Sequence, residues 1–298
     1  MIYDIIIIGA GMAGLAAAIY ACRAKKKVLV LEKTIPGGQI INSSSIANWP
    51  GSFNVSGAEL MNRVYKQAVA LGAEIAYEEV TNINQDGRNF VVVAGDQKYS
   101  TGAIILAIGA SSKKMGLPNE IKMTGRGVSY CATCDGAFYK DKNVAVIGGG
   151  NTALYDALYL ANIAKKVYLI HRRSEFKGDK ILVDKLREKD NVEFILEHTL
   201  AEILGDDKVT GIKLSPSSRT LEVDGIFIAI GERPMSDNFS SLVELDPKGY
   251  IVAGEDCETS CPGIFVAGDC RTKNIRQLVT AAADGAIAAS AAIKYLNK

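Results

Sequence analysis

The chain opens on an apolar run, Ile5–Ile8, that stops at Gly9, continues through the small-residue stretch Gly11–Cys22 and returns to a second apolar run, Val28–Leu31. Short apolar runs bounded by glycine predict buried strands, and the longer uncharged stretch between them predicts a helix. The same pattern recurs further on, because Asp4–Lys33 lies over Asn143–Arg172 without a gap at a constant offset of 139. Ile5–Ile8 falls on Val144–Ile147 and Val28–Leu31 on Val167–Ile170, while Gly9, Gly11 and Gly14 fall on Gly148, Gly150 and Ala153. Each copy therefore predicts a βαβ unit.

Three further apolar runs set the nesting of the two units. Ile104–Ala110 and Ile226–Glu232 both end in an Ile-Gly step at comparable points after their repeats and predict matching return strands. Ile264–Ala267 runs into Gly268-Asp269 and an alanine-rich helix over about 277–295, with no further glycine triplet, which predicts a return to the first domain. The expected fold is α/β, with two nested Rossmann-like dinucleotide-binding domains of the three-layer ββα type. One comprises residues 1–113 and 245–298; the other, inserted, comprises 114–244. The two crossings, expected near 112–116 and 240–247, would permit rotation between domains.

The repeats differ where nucleotide chemistry requires it. In such a unit the first glycine allows a tight turn, the second lets the backbone approach pyrophosphate, and the third small residue lets helix pack on strand. The second strand of the first copy closes on Glu32, suited to accept a hydrogen bond from a ribose hydroxyl and to repel a 2′-phosphate. The matching place in the second copy is His171, followed by Arg172, Arg173 and, further on, Lys177. Guanidinium groups bind a phosphate dianion through charge-assisted bonds. These residues predict FAD at the first site and NADPH at the second.

Between the repeats lies Cys131-Ala132-Thr133-Cys134-Asp135, two thiols at a spacing that closes a small reversible disulfide, with an acid beside them. Lys plus Arg number 34 against 33 Asp plus Glu, so no excess positive field argues for nucleic acid or anionic lipid as a partner. Ile5–Cys22 is uncharged over 18 positions, yet Gly9, Gly11 and Gly14 break it, and no basic segment lies upstream as a secretion signal requires. The chain reads as cytoplasmic, without a membrane span. Six cysteines in 298 residues do not make a disulfide framework, and a reducing compartment suits a catalytic dithiol better.

Four motifs in order, Gly125–Gly136 around the dithiol, Gly-Gly-Gly-Asn-Thr-Ala (148–153), His-Arg-Arg (171–173) and Gly-Asp…Arg-Gln (268–277), resemble the low-molecular-weight bacterial thioredoxin reductases over essentially the whole chain. The resemblance implies a homodimeric FAD enzyme that uses NADPH to reduce thioredoxin. It implies that Gly37, Gly38, Gln39, Asn48, Gly268, Asp269, Arg276 and Gln277 lie around FAD, and that Asn151 and Thr152 join Gly148 and Gly150 around NADPH. It further implies that Cys134 faces the flavin, that Cys131 attacks thioredoxin to form a transient mixed disulfide, and that Asp135 is the acid protonating the leaving thiolate. On the physical side, Asp269 suits a ribityl hydroxyl, and a helix starting after Arg276 directs its positive end at reduced flavin.

Some positions depart from the family pattern. Lys177 keeps the charge of the usual arginine without its bidentate geometry, Tyr155 stands where an acid is common, and Glu232-Arg233 replaces a common His-Ser. Ala137 precedes Phe138 where two aromatics often receive thioredoxin. A ferredoxin-fed flavoprotein, a reductase of another thioredoxin-like or glutaredoxin-like protein, a ferredoxin–NADP reductase and a non-enzymatic FAD redox sensor are the alternatives. The dithiol also allows half a zinc site completed by Cys257 and Cys261, although two nucleotide folds beside it argue against a metal. Cys22 and Cys270 read as buried, His198 as a strand-end residue, and Trp49 as packing near the flavin.

Overall fold

A computed structural model describes residues 2–43, 45–52 and 54–298. The chain forms two compact units, one made of Met1–Ser111 and Arg233–Lys298, the other of Ser112–Glu232.

In the discontinuous unit, strands Glu74–Ala76, Val28–Leu31, Ile2–Ile8 and Gln97–Leu106 lie side by side in parallel, and Ile264–Val266 adds a further parallel strand beyond them. Successive side chains of a strand point to opposite faces. Ile5 and Ile7 accordingly enter one core with Val28, Val30 and Ile105, whereas Ile6 and Ile8 enter another with Leu29, Leu31 and Ile104. The first core is covered by helices Met12–Arg23, Gly57–Ala70 and Leu278–Leu296. The second faces an antiparallel meander, Val80–Asp86 and Asn89–Ala94, which pairs with the first half of Gln97–Leu106. Along one edge that strand changes partner within a single mixed sheet: Gln97 to Thr101 pair antiparallel with Ala94 to Phe90, and Ile104 to Leu106 pair parallel with Ile264 to Val266.

The inserted unit repeats the layering. Five parallel strands run in the order Val192–Leu196, Lys166–His171, Asn143–Ile147, Gly225–Ile228, Val128–Ser129. Val144 and Val146 pack under helices Asn151–Ala161 and Lys180–Arg187, while Ala145 and Ile147 pack under the antiparallel strands Thr199–Leu204, Gly211–Ser215 and Thr220–Glu222.

The second crossing differs from expectation, falling at Glu232–Arg233 instead of 244–245. Phe239 and Val243 are buried beside Ile251, Ile264 and Val266, which carries the segment after Arg233 into the core of the first unit. Its weak apolar content conceals this in the sequence.

Helices Met12–Arg23 and Leu278–Leu296 meet at Gly285, where a Cβ would stand 2.1 Å from the Ala13 carbonyl oxygen and 2.9 Å from Ala17 N. Overpacking of this kind typically costs about 1–3 kcal/mol. Gly285→Ala should lower the free energy of unfolding by about that amount, read from the urea midpoint followed by circular dichroism.

Candidate active site

The first glycine turn is shaped by backbone contact. A Cβ at Gly9 would lie 2.4 Å from the Ala107 carbonyl oxygen, and one at Gly14 only 1.9 Å from the Gly9 carbonyl oxygen, so strand, turn and helix approach as only glycine permits. At Gly11 the space is open, and Gly11 caps helix Met12–Arg23 without a side-chain hydrogen bond. The first-turn N–H groups have no side-chain cap and face that opening, an arrangement that fits a pyrophosphate. The Glu32 carboxylate accepts from Ala10 N–H at 2.8 Å and from the Thr34 N–H and hydroxyl, both at 3.0 Å. One of its roughly four acceptor positions remains for a ribose hydroxyl.

Two other segments converge on this turn. Gly37 N–H donates to the Ala10 carbonyl at 2.8 Å, a Cβ at Gly38 would touch Gly11 Cα at 3.4 Å, and one at Gly268 would reach Ala13 Cβ at 2.9 Å. Gln39 donates its amide to the Ala110 carbonyl, and the Asn48 amide donates to Gln277 Oε1 at 3.2 Å. Arg276 spans the loop after Gly268, donating to the carbonyls of Asp269 at 3.3 Å and Arg271 at 3.4 Å, with its guanidinium 4.1 Å from the Tyr250 ring centroid. Gln277 then opens helix Leu278–Leu296, its N–H held by Thr280 Oγ1 at 3.1 Å.

The second glycine turn has the same geometry. A Cβ at Gly148 would lie 2.4 Å from the Ala229 carbonyl oxygen, Gly150 faces open space, and helix Asn151–Ala161 begins there without a side-chain cap. Where Glu32 reaches the N–H of Ala10 in the first copy, the His171 ring fills the place of a side chain on Gly149, 2.2 Å from where that Cβ would be. The ring stacks on Phe176 at 5.3 Å, and its Nε2 is buried without a hydrogen-bond partner. Burial, and then the charges of Arg172, Arg173 and Lys177 against the hydrogen bond the ring makes to the Glu175 backbone carbonyl, hold its pKa below the usual value and favour the neutral ring.

The segment after His171 folds back on the turn. Lys177 and Gly178 N–H both donate to the Gly149 carbonyl, at 2.8 and 3.1 Å. Asn151 Nδ2 donates to Asp179 Oδ2 at 3.0 Å and Asp179 N–H to Asn151 Oδ1 at 2.7 Å. The Asn151 side chain thus clasps the basic segment to the helix start, while Thr152 is exposed. Arg172, Arg173 and Lys177 are exposed, and none of them forms an ion pair among the described residues.

Strand Val128–Ser129 leads into the dithiol, where Cys131 and Cys134 are joined as a disulfide with Cα atoms 5.3 Å apart. Cys134 and Asp135 N–H donate to the Cys131 carbonyl at 3.3 and 3.1 Å, closing a one-turn helix over Ala132–Asp135. A Cβ at Gly136 would meet the Tyr159 ring at 2.8 Å, so this turn sits directly on helix Asn151–Ala161. Asp135 is half-buried; burial pushes its pKa up, and the bond from the Ser129 hydroxyl at 2.7 Å only partly opposes this.

Several residues escaped the sequence reading. Asp156, one position beyond Tyr155, is pushed up to about 7 by burial and the charge of Glu232, against a backbone bond from Ala132 within the disulfide segment. The buried Glu120 accepts from the N–H groups of Met115, Gly116 and Leu117 and from the Tyr130 hydroxyl at 2.8 Å, securing the residue before Cys131. Asp179 is a third. Each is a single polar residue that no sequence motif marks.

The remaining cysteines are free; burial pushes the Cys257 thiol up to about 11 and the Cys270 thiol up to about 12, and Cys22 is buried in its helix. No cluster of three or more metal-ligating side chains occurs among the described residues. His198 donates to the Leu196 carbonyl at 2.6 Å between two strands, and Trp49 packs against the helix-covered core of the first unit. No helix among the described residues is long and apolar enough to cross a membrane.

Two uncapped glycine turns and a disulfide beside the second are the parts of a pyridine nucleotide-disulphide oxidoreductase, and residues 3–285 match the model of that family. The chain is 43% identical over 303 residues to a thioredoxin reductase of Listeria innocua, covering 100% of this chain and 95% of that one. It is 42% identical to a thioredoxin reductase of Bacillus subtilis, covering 100% of this chain and 96% of the other. The crystal structure of thioredoxin reductase from Streptococcus pyogenes is similar with a TM-score of 0.95 at 39% identity, over 99% of this chain and 98% of that one. A thioredoxin reductase from Giardia duodenalis gives 0.94 at 35% identity, over 100% and 99%. The chain belongs to the low-molecular-weight, bacterial-type thioredoxin reductase family.

Asp156 generates a pH test. Its pKa is about 7 in the folded protein against 3.8 as a free side chain, so the native state holds a proton that the unfolded state has lost between those values. Its contribution to stability is therefore fully present below about pH 4 and is lost as pH rises through about 7. Asp156→Asn should flatten that decline, measured as urea midpoints across the same range.

Proposed function

We propose that the enzyme carries two electrons from NADPH, through FAD and the Cys131–Cys134 disulfide, to the disulfide of a thioredoxin. The carrying observation is the disulfide itself, seated with Asp135 on the helix that begins at the second glycine turn. FAD, when bound, supplies a relay that accepts hydride from a nicotinamide and reduces a disulfide. Gly9, Gly11 and Gly14 would hold its pyrophosphate and Glu32 would accept from its ribose, with Gly38, Gln39, Asn48, Gly268, Asp269, Arg276 and Gln277 lining the same site. Gly148, Gly150, Asn151 and Thr152 form the NADPH turn, and Arg172, Arg173 and Lys177 receive its 2′-phosphate. Their exposure, with no ion pair to any of them among the described residues, supports this assignment.

The chemistry at sulfur follows. Reduction of the internal disulfide takes two electrons and two protons. The Cys131 thiolate attacks one sulfur of the substrate disulfide, forming a mixed disulfide and expelling the other sulfur as a thiolate. Cys134 then attacks Cys131, restoring the internal disulfide and releasing the second substrate sulfur. Asp135 gives a proton to the departing thiolate, a role its raised pKa supports. The dithiol belongs to the inserted unit and the FAD turn to the other, so turnover uses rotation about the two crossings to bring dithiol and nicotinamide alternately to the flavin. The Listeria and Bacillus relatives support thioredoxin as the acceptor. The family resemblance supports a cytoplasmic homodimer.

Anaerobic titration tests the scheme. NADPH should bleach the flavin, NADH and reduced ferredoxin should be poorer donors, and added thioredoxin should restore the oxidised spectrum. Cys131→Ser should still be bleached by NADPH while thioredoxin reduction is abolished; continued thioredoxin turnover eliminates the scheme. Arg172→Ala and Arg173→Ala should each weaken NADPH binding by about 10–100-fold, the loss expected for one charged hydrogen-bonding group, while leaving NADH binding unchanged in the same titration.

A further inference from the structure

The loop that carries Asp269 is fastened from beneath by one acid. Asp284, on helix Leu278–Leu296, is 4% exposed. Its Oδ2 accepts from Gly268 N–H at 3.0 Å, from Arg271 Nε at 2.9 Å and from Lys273 Nζ at 2.8 Å, and its Oδ1 accepts from Arg271 Nη2 at 2.9 Å. All four bonds go to the six-residue segment Gly268–Lys273. Arg271 extends the network by donating to the carbonyls of Thr272 at 3.0 Å and Gly254 at 3.3 Å, and its own carbonyl accepts from Arg276 at 3.4 Å.

The geometry of Gly268 shows what the fastening controls. It takes φ +83°, and a Cβ there would stand 2.9 Å from Ala13 Cβ in the first turn of helix Met12–Arg23. The next residue, Asp269, leaves this turn with its backbone direction set by the N–H that Asp284 holds. Two cations against one carboxylate leave one net positive charge, and the side chains of Arg271 and Lys273 are only 10% and 7% exposed. Burial opposes ionisation of Asp284, but the bonds and charges of Arg271 and Lys273 outweigh it and hold its pKa below the usual carboxylate range.

We propose that Asp284 is a positioning residue for the flavin: its buried carboxylate, through Gly268 and Arg271, sets the turn that presents Asp269 and anchors Arg276 at the FAD site. This rests on the reading of the first unit as the FAD site. The bond count separates the role from charge balance. A carboxamide has one accepting oxygen and an NH₂ that cannot accept, so it cannot serve Gly268 N–H and both guanidinium nitrogens together.

The test uses the full-length protein stripped of flavin and titrated with FAD, followed by quenching of flavin fluorescence, with thermal unfolding of the apoprotein in parallel. Asp284→Asn should raise the dissociation constant for FAD at least tenfold. The double variant Asp284→Asn/Lys273→Met has the wild-type net charge in this cluster. It should regain apoprotein stability relative to Asp284→Asn, because one buried cation is gone, yet keep the weakened FAD affinity. Wild-type affinity in either variant overturns the proposal, and in the double variant it assigns Asp284 to charge balance alone. Failure of wild-type apoprotein to take up FAD overturns the cofactor reading instead, before any variant is compared.

Discussion

Both dinucleotide turns depend on one contact, a glycine passing beneath the carbonyl of a neighbouring strand's end. Gly9 lies under Ala107 and Gly148 under Ala229, each with room for hydrogen and none for a methyl group. Because the turn is pressed against the sheet, each helix starts immediately beyond the strand, with its first-turn N–H groups uncapped and facing open space at Gly11 and Gly150. The remaining site residues are placed relative to those turns. In one unit, Gly37, Gly38 and Gly268 close on it; in the other, His171, Lys177 and Gly178 do.

Two buried or half-buried aspartates show how the surroundings decide what a carboxyl group does. Asp284 and Asp156 both lie on helices that pack beside a nucleotide turn, and burial penalises the charge of each. Asp284 meets two cations and a backbone N–H and stays ionised as an anchor. Asp156 meets the like charge of Glu232 and holds its proton to near neutrality beside a disulfide segment whose reduction consumes protons. The distinction lies in partners, not in depth.

The repeat, its strands and the dithiol were legible because each is written locally, in apolar runs, glycines and a cysteine spacing. Strand Val28–Leu31 has the bounds expected, and the C-terminal helix runs over Leu278–Leu296, within a residue of the expected span. The antiparallel meanders carry no such local signal. Val80–Asp86 exposes all of its polar side chains and buries only Val80 and Ile83, too sparse a pattern to stand out. The second crossing lies earlier than the apolar pattern suggests, because only packing reveals that Phe239 and Val243 belong to the first unit. At the site, residue types indicated ligands but not duties: Asn151, expected at NADPH, spends its amide on Asp179, and Gln39 donates to Ala110. Asp179 and Asp284 were invisible because their partners are 28 and 16 residues away.

Strand Gln97–Leu106 serves two successive partners along one edge, antiparallel at its beginning and parallel at its end. In a strand with a single partner on that edge, an inserted residue can be absorbed by sliding the register. Here a slide that rescues one set of partners displaces the other, and by one position it exchanges the residues of two different cores. The strand therefore acts as a ruler of fixed length. Its members can be substituted, but lineages of this fold should accumulate length changes in the hairpin turn between Ala94 and Gln97 and not between Gln97 and Leu106.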